Sequence, residues 1–167
     1  MPGGAATLNA DALFYDALVA RVGREAVLVS DLKRYEEIDG VMVCAGLRPL
    51  ATKKSDTTAD QVSLYVEEEL IYQDARTKKV STTKLIPDAI AAIRSKPSCQ
   101  KNWQSLGRRY SKLWATPNRP LEGESMLVLE LEKRLLVDRY LKENAISDRT
   151  VWVREAKVKT QVKLYLD

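Results

Sequence analysis

The chain has 167 residues, 45% hydrophobic and 30% charged, with a formal net charge of +4, which suits a single globular domain that buries its own core. It contains no histidine, which excludes imidazole-based nucleophilic catalysis and His-ligated zinc. No apolar run approaches the length of a membrane-crossing helix, and Met1-Pro-Gly-Gly-Ala-Ala lacks the basic and apolar regions of a secretory signal.

In chain order, residues 1 to 9 are expected to be a flexible N-terminus and residues 10 to 167 one domain. Leu18 to Leu32 reads as two short strands around a tight turn at Gly23-Arg24-Glu25, then a helix start with Ser30 as N-cap and Asp31 on the positive end of the dipole. A ribbon this small needs a third strand or a helical cover. Asp31 to Ala45 is the first predicted helix, with Leu32, Tyr35, Ile38, Met42 and Ala45 on one stripe and Gly46 as its C-terminal cap.

After a polar loop over 47 to 57, Thr58 to Thr77 is predicted helical, with Val62, Val66 and Leu70 repeating every four residues and Tyr65 and Tyr72 beside them. Glu67-Glu68-Glu69 interrupts that pattern. Successive helix positions diverge by about 100°, so the three acids cannot converge on one cation, and a solvated face is expected. A short helix over Pro87 to Arg94 should turn Ile86, Ile90 and Ile93 inward. Ser98 can cap the next helix, on which Trp103, Leu106, Tyr110 and Leu113 share a stripe. Beyond the loop Thr116 to Pro120, the longest helix spans Glu122 to Glu143 and is apolar on several sides, as a central helix is. Asp148 should cap a last helix through Lys157, with Trp152 and Ala156 inward. The alternation of Val162, Leu164 and Leu166 with Lys163 and Tyr165 then reads as a half-buried terminal strand.

Ten basic and two acidic residues lie between Asp74 and Trp114. A basic middle can attract nucleic acid, anionic lipid or acidic clients, although a solvated helical face is the favoured reading. Cys44 and Cys99 fit no metal motif and allow at most one disulfide. Two separate, buried thiols are expected ahead of a bridge, an order that an oxidising compartment would shift. No carboxylate pair stands out for catalysis, so no catalytic residue, metal ligand or cofactor is expected.

Taken together, Val22-Gly23-x-Glu25-x-Val27-Leu28-x-Ser30-Asp31-Leu32, the helix with Glu68-Glu69-Leu70-Ile71, the stretch Glu132-Lys-Arg-Leu-Leu-Val-Asp-Arg-Tyr140, and Trp152 followed by Val162-Lys163-Leu164 resemble the SurA-type periplasmic chaperones of the trigger-factor/SurA peptide-binding superfamily. The likeness runs from about residue 17 to residue 167. Such proteins usually carry parvulin isomerase domains between the long helix and the terminal helix-strand piece. Here only Glu143 to Asp148 separates them, and the histidines of a parvulin site are missing.

The resemblance implies a mainly α fold, in which residues 148 to 167 supply a helix and a strand that complete the N-terminal ribbon in a small antiparallel sheet. It also implies an ATP-independent holdase in the periplasm, its signal peptide absent from this start, that binds unfolded outer-membrane or secreted polypeptides in an apolar groove without isomerase activity. A cytoplasmic location stays open. Candidate groove residues are Tyr35, Met42, Tyr65, Tyr72, Trp103, Tyr110 and Leu127, although helical spacing alone favours core positions for each. A terminal strand that docks on a distant ribbon could also exchange between two copies to give a swapped homodimer. The alternatives are an interaction protein with one specific partner, or a nucleic-acid-binding protein that uses the basic middle. No small-molecule substrate is expected.

Overall fold

The computed structural model describes residues 16–49, 57–81, 84–114, 122–144, 146 and 149–166, with the side chains of 111–114 and 122–125 left out. The expectations for residues 1 to 9, for most of the 47–57 loop, for the loop 116–120, for Leu113 and for the Asp148 cap lie outside the described residues.

The chain begins with β1 (Leu18–Val22) and β2 (Glu25–Leu28). Val22 pairs with Glu25, so the turn between them has two residues, Gly23 and Arg24. Gly23 takes φ +62°, a left-handed value at the first central position that a type II′ hairpin assigns to glycine. A bulge between Leu18 and Ala20 lets the consecutive residues Val19 and Ala20 both turn into the core.

Helix α1 (Val29–Cys44) starts two residues before the expected position, with Leu28 as N-cap. Ser30 is therefore inside the first turn and does not cap it. Two carboxylates take that role: Asp31 Oδ2 accepts from the Leu28 amide at 2.8 Å, and Asp16 Oδ1 accepts from the Ser30 amide at 2.9 Å. At the other end Gly46 adopts φ +77°. The Leu47 amide reaches the Met42 carbonyl at 2.8 Å and that of Gly46 the Val43 carbonyl at 3.1 Å, which together form a Schellman motif.

Helix α2 (Thr58–Thr77) is capped by Thr57 Oγ1, which accepts from the Asp60 amide at 3.1 Å. Helices α3 (Leu85–Arg94) and α4 (Pro97–Trp114) follow. The first begins ahead of Pro87. The second begins at Pro97, whose fixed φ suits the first helical position, so Ser98 is not its cap. Helix α5 (Glu122–Glu143) has the predicted bounds, and α6 (Arg149–Lys159) leads into β3 (Val162–Leu164).

The sheet is antiparallel in the order β2-β1-β3, with Ala20 opposite Leu164 and Val22 opposite Val162. The fold is thus mainly helical, with one small sheet that joins strands from the two ends of the chain. In β3 only Val162 is half-buried, whereas Leu164 and Leu166 are exposed. On the expected inward face Val162 packs on the sheet cluster, and Leu164 and Leu166 are more open.

Among the described residues three apolar clusters form the interior. Ile38, Met42, Ile93, Cys99, Trp103, Tyr110, Leu127 and Leu131 fill the space between α1, α3, α4 and α5. Val22, Val27, Leu32, Tyr35, Val62, Tyr65, Val66 and Val153 join the sheet to α1, α2 and α6. Ile71, Ala75, Leu136, Val137 and Tyr140 lock α2 against α5. Cys44, at the end of α1, is bonded to Cys99 in α4, with Cα atoms 5.7 Å apart. This reverses the expectation of two separate thiols: 55 residues separate them in sequence, but packing α1 on α4 brings them together.

Candidate functional site

The seven groove candidates are mostly interior. Tyr35, Met42, Tyr65, Trp103, Tyr110 and Leu127 are all buried. Tyr72 is half-buried, with the Arg76 guanidinium 5.7 Å and the Lys133 ammonium 5.0 Å from its ring centre. They do not line one surface. Met42, Trp103, Tyr110 and Leu127 belong to the cluster under α3, and Tyr35 and Tyr65 to the one under the sheet. Burial of Trp103 and Tyr110 also removes the stacking platform that single-stranded nucleic acid would need beside Arg108 and Arg109.

One open apolar surface among the described residues lies on α3. Ile86, Pro87, Ile90 and Ala91 line a shallow groove of about 610 Å³ that ends at Arg94 and Ser95. Ile86 and Ile90 are only half-buried there, and their inner sides pack on the cluster that holds Met42, Trp103, Tyr110 and Leu127. Four of the candidates thus belong to the cluster on which the groove's isoleucines pack, but none of them lines the groove. A second groove, of about 370 Å³, runs between α2 and α6 past Gln73, Asp74, Lys78, Trp152 and Glu155. It is mostly polar.

Local rules missed the largest polar feature. Glu68 and Glu69 are buried, not solvated, because α2 is packed on several sides and most directions from it meet another element. Glu68 accepts from Arg48 Nη2 at 3.0 Å, Arg134 Nη1 at 3.1 Å and the Tyr35 hydroxyl at 2.5 Å. Arg48 also grips Asp138 through two bonds of 2.9 Å and reaches Asp39 at 3.1 Å. Arg134 lies with its guanidinium carbon 4.4 Å from the ring centre of Tyr35 and 5.5 Å from that of Tyr65, and donates to Glu130 at 3.4 Å.

Burial pushes the Glu68 carboxyl up, but Arg48 and Arg134 outweigh it and hold the carboxyl below its usual value. Asp138, Glu69 and Asp31 are shifted the other way, since burial wins over their basic neighbours. The cluster has its charges paired and opens onto neither groove, so it ties α1, α2 and α5 together. In the sequence only Glu130 and Arg134 lie on the helix expected to be central, whereas Glu68 falls in the run expected to face water and Arg48 in a polar loop.

Among the described residues no group of three or more His, Cys, Asp or Glu side chains is placed to hold a metal ion, and no helix is long and apolar enough to cross a membrane. The chain matches no protein-family model and no curated protein.

Proposed function

We propose that this chain is a binding module for unfolded polypeptides: an ATP-independent holdase of the SurA type, without isomerase activity. The observation that carries the reading is the sheet in which β3 completes the N-terminal ribbon around a helical body, in the element order that the resemblance implies. The Cys44–Cys99 bond adds a second line of support, because disulfides persist in oxidising compartments such as the periplasm.

The α3 groove is where the reading places first contact with a client. Its exposed isoleucine flanks accept apolar side chains without reading sequence, and Arg94 at its end favours acidic segments. Outer-membrane and secreted chains awaiting export or insertion are the client class. The test is aggregation of a chemically unfolded client, followed by light scattering. Stoichiometric amounts of the protein should slow it without nucleotide, and peptidyl-prolyl isomerisation should proceed at the uncatalysed rate. Unchanged aggregation at equal molar amounts would overturn the reading.

A further inference from the structure

Among the described residues β3 is an edge strand, with no strand paired to its outer side. The Gly23 amide bonds to the Gln161 carbonyl at 2.8 Å and the Tyr165 amide to the Val19 carbonyl at 2.9 Å. In an antiparallel pair, residues alternate between facing their partner and facing away. The odd-numbered residues of this strand therefore bond to β1, and the N–H and C=O groups of Val162 and Leu164 point outward, continuing toward Leu166. The side chains at this edge are also partly open: Leu164 is 53% exposed, Tyr165 42% and Leu166 37%. Natural edges are usually protected by short length, lysine, proline, a bulge or inward-facing charge, and here the protection is confined to a three-residue strand with Lys163 at its centre. The segment from Val162 to Leu166, which continues β3 by two residues, contains no proline and no bulge.

We propose that two copies of this chain join through antiparallel pairing of their β3 strands, centred on Leu164. The segment Val-Lys-Leu-Tyr-Leu is self-complementary in that register. Leu164 faces its own counterpart, Val162 faces Leu166, and all these apolar side chains share one face. On the other face Lys163 stands opposite Tyr165 of the second copy, where ammonium and ring attract. A register centred on Lys163 would set two ammonium groups directly opposite each other, which is destabilising. The Leu164 register separates them and uses all five residues. The product is a two-fold symmetric, six-stranded sheet, and the contact is isologous, so it closes at the dimer. This arrangement differs from strand exchange, in which β3 would leave its own β1. It does not depend on the client-binding reading.

Sedimentation equilibrium on the full chain tests the proposal. With rising concentration the mass should approach twice that of one chain. Leu164→Lys places like charges across the two-fold axis and should remain monomeric, with its dilute-solution melting temperature little changed, because residue 164 makes no backbone bond to β1 and its side chain is about half exposed. Leu164→Cys should form an intermolecular disulfide in air, since directly opposed, hydrogen-bonded residues lie about 5.5 Å apart at Cα, within disulfide reach. A wild-type chain that stays monomeric at every concentration would overturn the proposal. So would a dimer that survives Leu164→Lys and yields no cross-link through Leu164→Cys, which is the behaviour of a strand-exchanged pair.

Discussion

Glu68 is the residue on which most buried charge depends. Its side chain is only 3% exposed and has two guanidinium partners, one from the segment after α1 and one from α5. Removing one member of a buried ion pair strands the others and costs about 3 to 5 kcal/mol. Glu68→Gln should fall near the lower end, about 3 kcal/mol, because Arg48 keeps Asp138 and Arg134 keeps Glu130.

The pH dependence has two opposing parts. A carboxyl held below its unfolded value stabilises the fold fully above that value, 4.5 for glutamate, and loses its contribution as pH falls through the lower folded value. Asp31, Glu69 and Asp138 are held above theirs, so their ionisation opposes folding at neutral pH and acidification relieves them. Mild acid should therefore raise stability, and stronger acid, below the ordinary glutamate range, should lower it. Melting temperature followed against pH should show the acid-side fall in the wild type and a much flatter acid limb in Glu68→Gln. Parallel curves for the two proteins would remove Glu68 as its source.

At the scale of elements, helix ends separate what a local pattern encodes from what the fold imposes. The end of α2 is a Schellman motif in which Lys79 sits at φ +54°, with the Val80 amide on the Ala75 carbonyl at 3.1 Å. A side chain in the left-handed region costs about 1 to 2 kcal/mol, part of which glycine gives back as chain entropy in the unfolded state. Lys79→Gly should stabilise the protein by about 0.5 to 1 kcal/mol, read as a higher denaturant midpoint. An unchanged or lower midpoint would mean that the turn is not strained. Gly46, in the equivalent place after α1, already has the residue such a turn favours.

The bounds of α2 and α5 were legible because apolar periodicity and flanking residues agree there. The start of α1 was not: Asp16, fourteen residues before Ser30, supplies part of the capping, and no local window contains both. The same holds for the site. Helical spacing already favoured core positions for the aromatic candidates, and six of the seven groove candidates are interior. The Glu67-Glu68-Glu69 run misled because the divergence of its side chains was read as facing water. On a central helix divergence also means meeting different neighbours, and all three acids meet arginine or lysine: Glu67 meets Arg149, Glu68 meets Arg48 and Arg134, and Glu69 meets Lys133. The sequence could not pair Glu68 with Arg48 and Arg134, which are 20 and 66 positions away.

For the molecule as a whole, the decisive contacts join distant parts of the chain. The Cys44–Cys99 bond closes a loop of 55 positions, and the sheet joins residues about 140 positions apart. Deleting Val162 to Asp167 would remove the backbone bonds of β3 to β1, including that of Tyr165 to Val19, and the packing of Val162 on the sheet cluster. At about 1 kcal/mol net for each of the two Lys163–Arg21 bonds and the Tyr165–Val19 bond, and about 1 kcal/mol for a half-buried valine, the loss should be about 4 kcal/mol. It should also spread beyond the sheet, because Gln73 of α2 donates to the Val22 carbonyl at 3.1 Å, and Trp152 of α6 packs both on the sheet cluster and edge-on to Tyr140 of α5. A single unfolding transition at lower temperature is expected from calorimetry. Leu164→Lys provides the control: it alters the outer side of the same strand and should leave dilute-solution stability little changed. If the deletion and Leu164→Lys both melt like the wild type, β3 is not the closure of the fold. If only the deletion is destabilised, the inner side of β3 serves folding and its outer side is free for association. In that case the wild type alone should show a melting temperature that rises with concentration, because a folded partner stabilises by mass action.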